Sequence, residues 1–231
     1  MHKGIYIALS GALMKQMELE LLSENIANSE TPGFKARSLS FRDYLINENP
    51  EDSRTMTYLK GTGLRLTPGP FIKTENKLDI AIEGNGFLSL EGGLYTRRGD
   101  LTRTQDGYLV TASGRRVIGE NGLIRLPEGE IEIKEDGGIY VDGNMIDKLT
   151  IMEFDDPGIL SRTGEGLYEA GSSGKASSAR GIQGYLEESN IDIVREMVKL
   201  ITTLREFETF QKAIQTLDEA AGKVNNEMAR I

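Results

Sequence analysis

The 231-residue chain carries 27 Lys and Arg against 36 Asp and Glu, a formal net charge of −9, and 38% of it is apolar. That balance excludes a general nucleic-acid binder, which needs a basic face for phosphate contacts. With no cysteine and one histidine, His2, it also excludes disulfides and zinc sites of the usual Cys/His kinds. No apolar run is long enough to cross a bilayer as a helix.

Residues 1–30 read as a helix. Ile5, Leu9, Ala12, Leu19, Leu22 and Ile26 share one face at helical spacing. Lys3 and the apolar run to Met14 imitate a signal peptide, but Glu18 and Glu20 follow at once and no small-x-small cleavage site appears. The expectation is an uncleaved helix about 40 Å long at ~1.5 Å per residue. It stops at Asn28-Ser-Glu-Thr-Pro-Gly-Phe34, where Pro32 bars Thr31 from helical geometry and Gly33 supplies a turn.

Residues 31–76 are predicted to be an extended linker with short strands, punctuated by Gly61-Thr-Gly63 and Thr67-Pro-Gly-Pro70. From 77 to 170 the period changes. Asp79–Glu83, Phe87–Leu90, Tyr108–Thr111, Leu123–Leu126, Ile131–Lys134 and Ile139–Val141 read as short strands. Turn pairs separate them, among them Asp106-Gly107, Asn121-Gly122, Asp136-Gly137 and Asp142-Gly143, as in an antiparallel β domain. Residues 171–188, rich in Gly and Ser at their start, are expected to be a return linker.

Residues 189–231 form the second predicted helix, with Ser189 or Asn190 as its cap. Its apolar seam is Ile193, Met197, Leu200, Leu204, Phe207, Phe210, Ile214, Leu217, Ala221, Val224 and Met228. The fold class that follows is α+β: terminal amphipathic helices forming a coiled-coil-like domain, with an antiparallel β domain inserted between them. The second helix is about 60 Å long and overshoots the first by ~20 Å. Some apolar seam then stays open to other subunits.

Catalytic chemistry is sparse. A Ser–His–carboxylate relay would have to be built on His2 at the chain start. Gly171-Ser-Ser-Gly-Lys175-Ala176 misplaces the first glycine of a phosphate loop and has Ala where Ser or Thr should hold magnesium. Gly164-Glu-Gly166 lacks the third glycine of a dinucleotide site. Asp155-Asp156 and Glu187-Glu188 read as solvated acidic pairs, and Arg98-Gly99-Asp100 as an ordinary turn rather than an adhesion tripeptide. No catalytic, cofactor-binding or metal-binding residue is predicted. Two other classes compete with a polymer subunit: a dimeric binding module with a ligand site in the β domain, and a hydrolase using carboxylates alone, for which no facing pair can be named.

Four stretches, in order, resemble the bacterial flagellar rod and hook protein family. They are Ala27-Asn28-Ser-Glu-Thr31-Pro32-Gly33-Phe34-Lys35, Leu78–Phe87, Tyr95–Leu101 with Asp106–Thr111, and Gly184–Ile201. Together they reach both ends and the middle of the chain. The length sets it with the rod subunits rather than the longer hook protein. Arg116–Gly122 and Leu126–Gly129, with Thr31–Phe34, are similar to the proximal subgroup ahead of the distal one. The resemblance implies a structural subunit of a helical rod in the periplasm that transmits torque. It also implies export by the flagellar type III apparatus without a cleaved signal, with copies of itself and neighbouring rod proteins as partners.

Overall fold

A computed structural model describes residues 2–45 and 55–228. The fold is α+β, with a helix at each end and antiparallel strands between. It divides into two compact units: Met1–Ala27, Ser38–Thr62 and Asp192–Ile231 form the first, Asn28–Arg37 and Gly63–Ile191 the second.

In the first unit α1 (His2–Ala27) packs on α2 (Ile193–Met228). The pair is antiparallel: Gly4 lies against Leu217, Gly11 against Phe210, and Lys15 Nζ meets Glu206 Oε2 at 2.7 Å. Asp192, not Ser189 or Asn190, caps α2, its Oδ1 accepting the Arg195 N–H at 3.0 Å. A short carboxylate at this position satisfies an N–H that the helix itself leaves unpaired. Arg37–Leu45 and Thr55–Leu64 pair as a two-stranded sheet, so much of the expected linker has regular structure.

In the second unit a six-stranded antiparallel sheet runs in the order Leu160–Gly164, Leu167–Ala170, Leu94–Thr96, Phe87–Leu90, Ile151–Glu153, Lys175–Ala176. Ile131–Ile133, Gly138–Val141 and Asn144–Lys148 form a three-stranded meander. Its tight turn is Asp142-Gly143, both at positive φ (49° and 81°), the left-handed geometry that a two-residue hairpin requires. Ile80, Ile82, Leu88, Leu90, Leu109, Ile124 and Ile139 meet in the main core. A satellite cluster stacks Phe87 edge-on against Tyr168 and Phe154, with ring centroids 5.2 and 6.0 Å apart.

The expected return linker holds three strands, Lys175–Ala176 at the edge of the six-stranded sheet and two more. Arg180–Gln183 pairs with Ile80–Glu83, and Tyr185–Glu187 pairs with Phe71–Lys73. Glycines at 181 and 184 break the residue alternation that marks a strand in sequence.

Candidate assembly interface

On α2 the residues turned toward α1 follow a strict heptad: Glu196, Leu200, Thr203, Phe207, Phe210, Ile214, Leu217 and Ala221 are all buried or half-buried. On α1 the matching face is made of small residues in its first half, Gly4, Ala8, Gly11 and Ala12, and of Leu21, Leu22 and Asn25 near its end. Small residues there let the bulky Phe210 and Leu217 seat directly on the α1 backbone.

The residues of the predicted N-terminal seam divide. Ala12 and Leu22 are buried, Ile5, Leu19 and Ile26 are half-buried, and Leu9 is exposed. In the C-terminal seam Leu200, Phe207, Phe210, Ile214, Leu217 and Ala221 face inward, whereas Ile193, Met197 and Leu204 are exposed. The side chains of Val224 and Met228 lie outside the described residues.

Each helix also carries a second apolar stripe that faces solvent. On α1 it is Tyr6 (69% exposed), Leu9, Leu13 and Met17. On α2 it is Val194 (73% exposed), Met197, Val198, Ile201 and Leu204. Spacings of three and four residues, with Met197 and Val198 side by side on α2, make each a continuous strip along its helix, and apolar strips of this kind mark interaction surfaces.

The motif residues of the second unit build a buried charge cluster. Lys35 Nζ donates to Glu187 Oε1 at 2.5 Å and to the Thr67 carbonyl at 3.1 Å. Arg97 Nε donates to Glu187 Oε2 at 2.6 Å, while its Nη1 and Nη2 reach the Gly86 and Ile82 carbonyls, each at 2.6 Å. The Gly69 N–H completes the carboxylate's shell at 3.0 Å. All three ionic side chains are at most 3% exposed. Burial pushes the Lys35 ammonium below its ordinary range; Glu187 opposes that shift and Arg97 adds to it. Glu187 is therefore a structural counter-ion, whereas its neighbour Glu188 is exposed as expected for a solvated acid.

The same motif is fixed at three further points. Gly33, at φ +66°, leaves no room for a side chain: a Cβ would lie 2.3 Å from the Arg97 carbonyl oxygen. The Gly33 N–H donates to the Glu187 carbonyl at 2.7 Å. The Phe34 ring is buried beneath the Arg162 guanidinium at 4.4 Å, and Arg162 Nη2 reaches Asn28 Oδ1 at 3.3 Å. Asn190 closes the arrangement, its Oδ1 accepting the Ala36 N–H at 2.8 Å and its Nδ2 donating to the Arg65 and Thr67 carbonyls. Residues 28–36 and 187–190, remote in sequence, thus share one network.

Sequence reasoning missed Arg97, Glu187, Glu196 and Thr203 as structural residues, and it gave Asn190 a different structural role, as a cap of α2. A signal existed for one of them: strand alternation in Tyr185-Leu-Glu187 sets Glu187 on the face opposite Leu186. Arg98-Gly99-Asp100 is locked into the fold. Arg98 and Asp100 pair bidentately at 3.0 and 2.5 Å, and a Cβ on Gly99 would strike the Ile80 carbonyl. Lys175 is held by Asp155 at the surface. Among the described residues no group of three or more His, Cys, Asp or Glu could hold a metal, and no helix is long and apolar enough to cross a membrane.

Three family models match the chain. They are the flagella basal body rod protein over residues 5–35, the flagellar hook protein FlgE/F/G D1 domain over 81–141, and the flagellar basal body rod FlgEFG protein C-terminal over 182–227. The chain is 31% identical over 264 residues to the flagellar basal-body rod protein FlgG of Agrobacterium fabrum, covering 98% of this chain and 99% of the relative. It is 31% identical over 252 residues to FlgF of Salmonella typhimurium (97% and 98% covered). Against FlgF of Caulobacter vibrioides it is 28% identical over 244 residues, with both chains fully covered. With similarity running through both terminal helices and the strands between them, the chain belongs to the flagellar basal-body rod protein family, as a structural protein and not an enzyme.

Proposed function

We propose that this chain is the proximal rod subunit of the bacterial flagellum, assembling helically with copies of itself and with neighbouring rod proteins to transmit torque across the periplasm. The carrying observation is the pair of solvent-facing apolar stripes, Tyr6–Met17 on α1 and Val194–Leu204 on α2. Helices that already pair with each other yet keep a second apolar strip have surface to bury on a neighbour. Two different strips favour a heterologous contact, which propagates instead of closing into a dimer. In this reading the inward seam residues, such as Ala12, Leu22, Phe210 and Leu217, hold the pair together. Leu9, Met197 and Leu204 of the predicted seams act between subunits.

The proximal assignment rests on the text of Thr31–Phe34, Arg116–Gly122 and Leu126–Gly129. Relatives named FlgF and FlgG match to similar extents, so the distal subunit is the competing outcome. Export through the flagellar type III apparatus, with the N-terminal helix retained, completes the proposal. Gene exchange in the host tests the subtype. Rescue of motility in a strain lacking this chain by a known proximal rod subunit, and not by a known distal one, supports the proximal role. The reverse pattern assigns the distal one.

A further inference from the structure

The two outward stripes of the helix pair stand at different heights. Gly4 lies level with Leu217, Gly11 with Phe210 and Lys15 with Glu206. The same register sets Met17 level with Leu204. The α1 stripe, Tyr6 to Met17, therefore lies beside residues 204–215 of α2, and the α2 stripe, Val194 to Leu204, beside residues 17–27 of α1. They follow one another end to end, with centres about 16 Å apart along the axis at ~1.5 Å per residue. Each lies about 140–160° round its helix from the face turned to the partner helix, by the rotation per residue of an α-helix. One copy thus carries an apolar stripe on each back of the pair, and its own two stripes cannot meet.

Laid antiparallel, the stripes match. Tyr6 meets Leu204, Leu9 meets Ile201 and Leu13 meets Met197, in steps of three and then four on both helices. Charge matches at both ends. The same spacing continues to Glu20 on α1 and Glu208 on α2, both exposed. In this pairing Glu20 comes beside the amino end of α2, and Glu208 beside the amino end of α1, which begins His2-Lys3. Helix amino ends carry partial positive charge and favour a carboxylate. Between Gly4 and Met17 the one charged residue of α1 is Lys15, held by Glu206 and Glu18, so no free cation there opposes Arg195 and Lys199.

We infer that the α1 stripe of one copy docks antiparallel on the α2 stripe of a second copy, with both copies pointing the same way and displaced by about 16 Å along the helix axis. The inference rests on the proposed assembly role of these stripes. Because they lie on opposite backs, each copy offers one stripe to either side, and the contact repeats as a staggered row. Pairing of like stripes, α1 on α1 or α2 on α2, is the competing arrangement. It turns alternate copies over, whereas a helical assembly, in which one rotation and rise relates every copy to the next, keeps all copies in one direction.

The chain has no cysteine, so introduced thiols report its contacts without a background of its own. A chain carrying Leu9→Cys with Ile201→Cys replaces the unsubstituted one in its host, and purified basal bodies are oxidised and run on a non-reducing gel. Within one copy the two positions are about 16 Å apart along the axis, too far for an internal disulfide. The expected result is a ladder of linked chains at dimer mass and above, lost on reduction. Leu9→Cys with Lys212→Cys, the pair that unstaggered copies would bring together, should give at least about tenfold less product. Neither Leu9→Cys nor Ile201→Cys alone should link chains. Leu13→Cys with Met197→Cys reads the same register should the first pair disturb incorporation. A ladder from the Lys212→Cys pair, or dimers from a single cysteine, overturns the inference and leaves the assembly role standing, as does an incorporated chain with no cross-link from either matched pair. Absence of the unsubstituted chain from basal bodies overturns both.

Discussion

Gly11 on α1 stands against Phe210 on α2 so closely that a Cβ on the glycine would lie 2.5 Å from the ring's Cε1. The helices meet at this level because the side chain is absent. At Gly4, one heptad away, the nearest atom to such a Cβ is a Leu217 methyl at 3.5 Å, an ordinary contact.

The same substitution should therefore have opposite effects at the two positions. Gly4→Ala should stabilise the helix pair by up to about 1 kcal/mol, the gain in helix propensity. Gly11→Ala should destabilise it by about 1–3 kcal/mol, because the ring must leave its seat. Thermal melts followed by helical circular dichroism distinguish them, and equal shifts would mean that the pair does not close as described.

The buried cluster of Lys35, Arg97 and Glu187 carries two cations and one anion. Glu187→Gln strands both cations and should cost about 3–5 kcal/mol, the range for breaking a buried pair from one side. Lys35→Met leaves the Arg97–Glu187 pair balanced and keeps a stem of similar length, so it should cost much less. Urea midpoints measure both. Equal losses would show that net buried charge does not govern the cluster.

Two groups give stability an alkaline profile. The folded Lys35 value lies below its ordinary 10.5, so unfolded chain binds a proton that folded chain has released, and stability rises as pH climbs from the folded value to 10.5. Burial raises the Tyr168 phenol above its ordinary 10.0, so the unfolded chain ionises first and stability falls as pH passes from 10.0 toward the folded value. Lys35→Met should remove the rise and Tyr168→Phe should remove the fall in a urea titration repeated across alkaline pH. If neither variant alters the profile, other groups control it.

Long periodic elements were legible in the sequence. The steps of three and four in α1 and α2 announce two helices and their inner faces from Phe207 onward, because a helix repeats one rule over many turns. Five of the strands could be read from alternation flanked by Asp-Gly or Asn-Gly turns; the sixth reading, Leu123–Leu126, overruns a strand that covers only Gly122–Leu123. Segments of two to five residues such as Gly122–Leu123 and Leu160–Gly164 are too short to establish a period. Lys35 and Glu187 lie 152 residues apart, and nothing local to either shows that a buried partner exists. The orientation of α2 misled for a physical reason: hydrophobicity favours Met197 and Leu204, but the polar residues Glu196 and Thr203 took the inner face.

Pairing of Phe71–Lys73 with Tyr185–Glu187, and the Lys35–Glu187 contact, extend the second unit well beyond its central strands. Limited proteolysis should therefore leave residues 63–191 as a resistant fragment that retains the 28–37 segment, since buried and hydrogen-bonded backbone resists cleavage. Mass spectrometry of the fragment checks this. A core trimmed to residues 77–170 would mean that the charge cluster does not hold the segments it joins.

The central claim is that the outward stripes of α1 and α2 assemble the rod. Ile201→Asp combined with Leu204→Asp places two charges on the α2 stripe while leaving the inner residues Leu200, Phe207 and Phe210 untouched. The most direct measurement is the amount of this double variant in basal bodies purified from its host, beside its helix content and melting as a monomer. The account predicts a folded, exported subunit that is absent from the basal bodies. Incorporation at the normal level would contradict it.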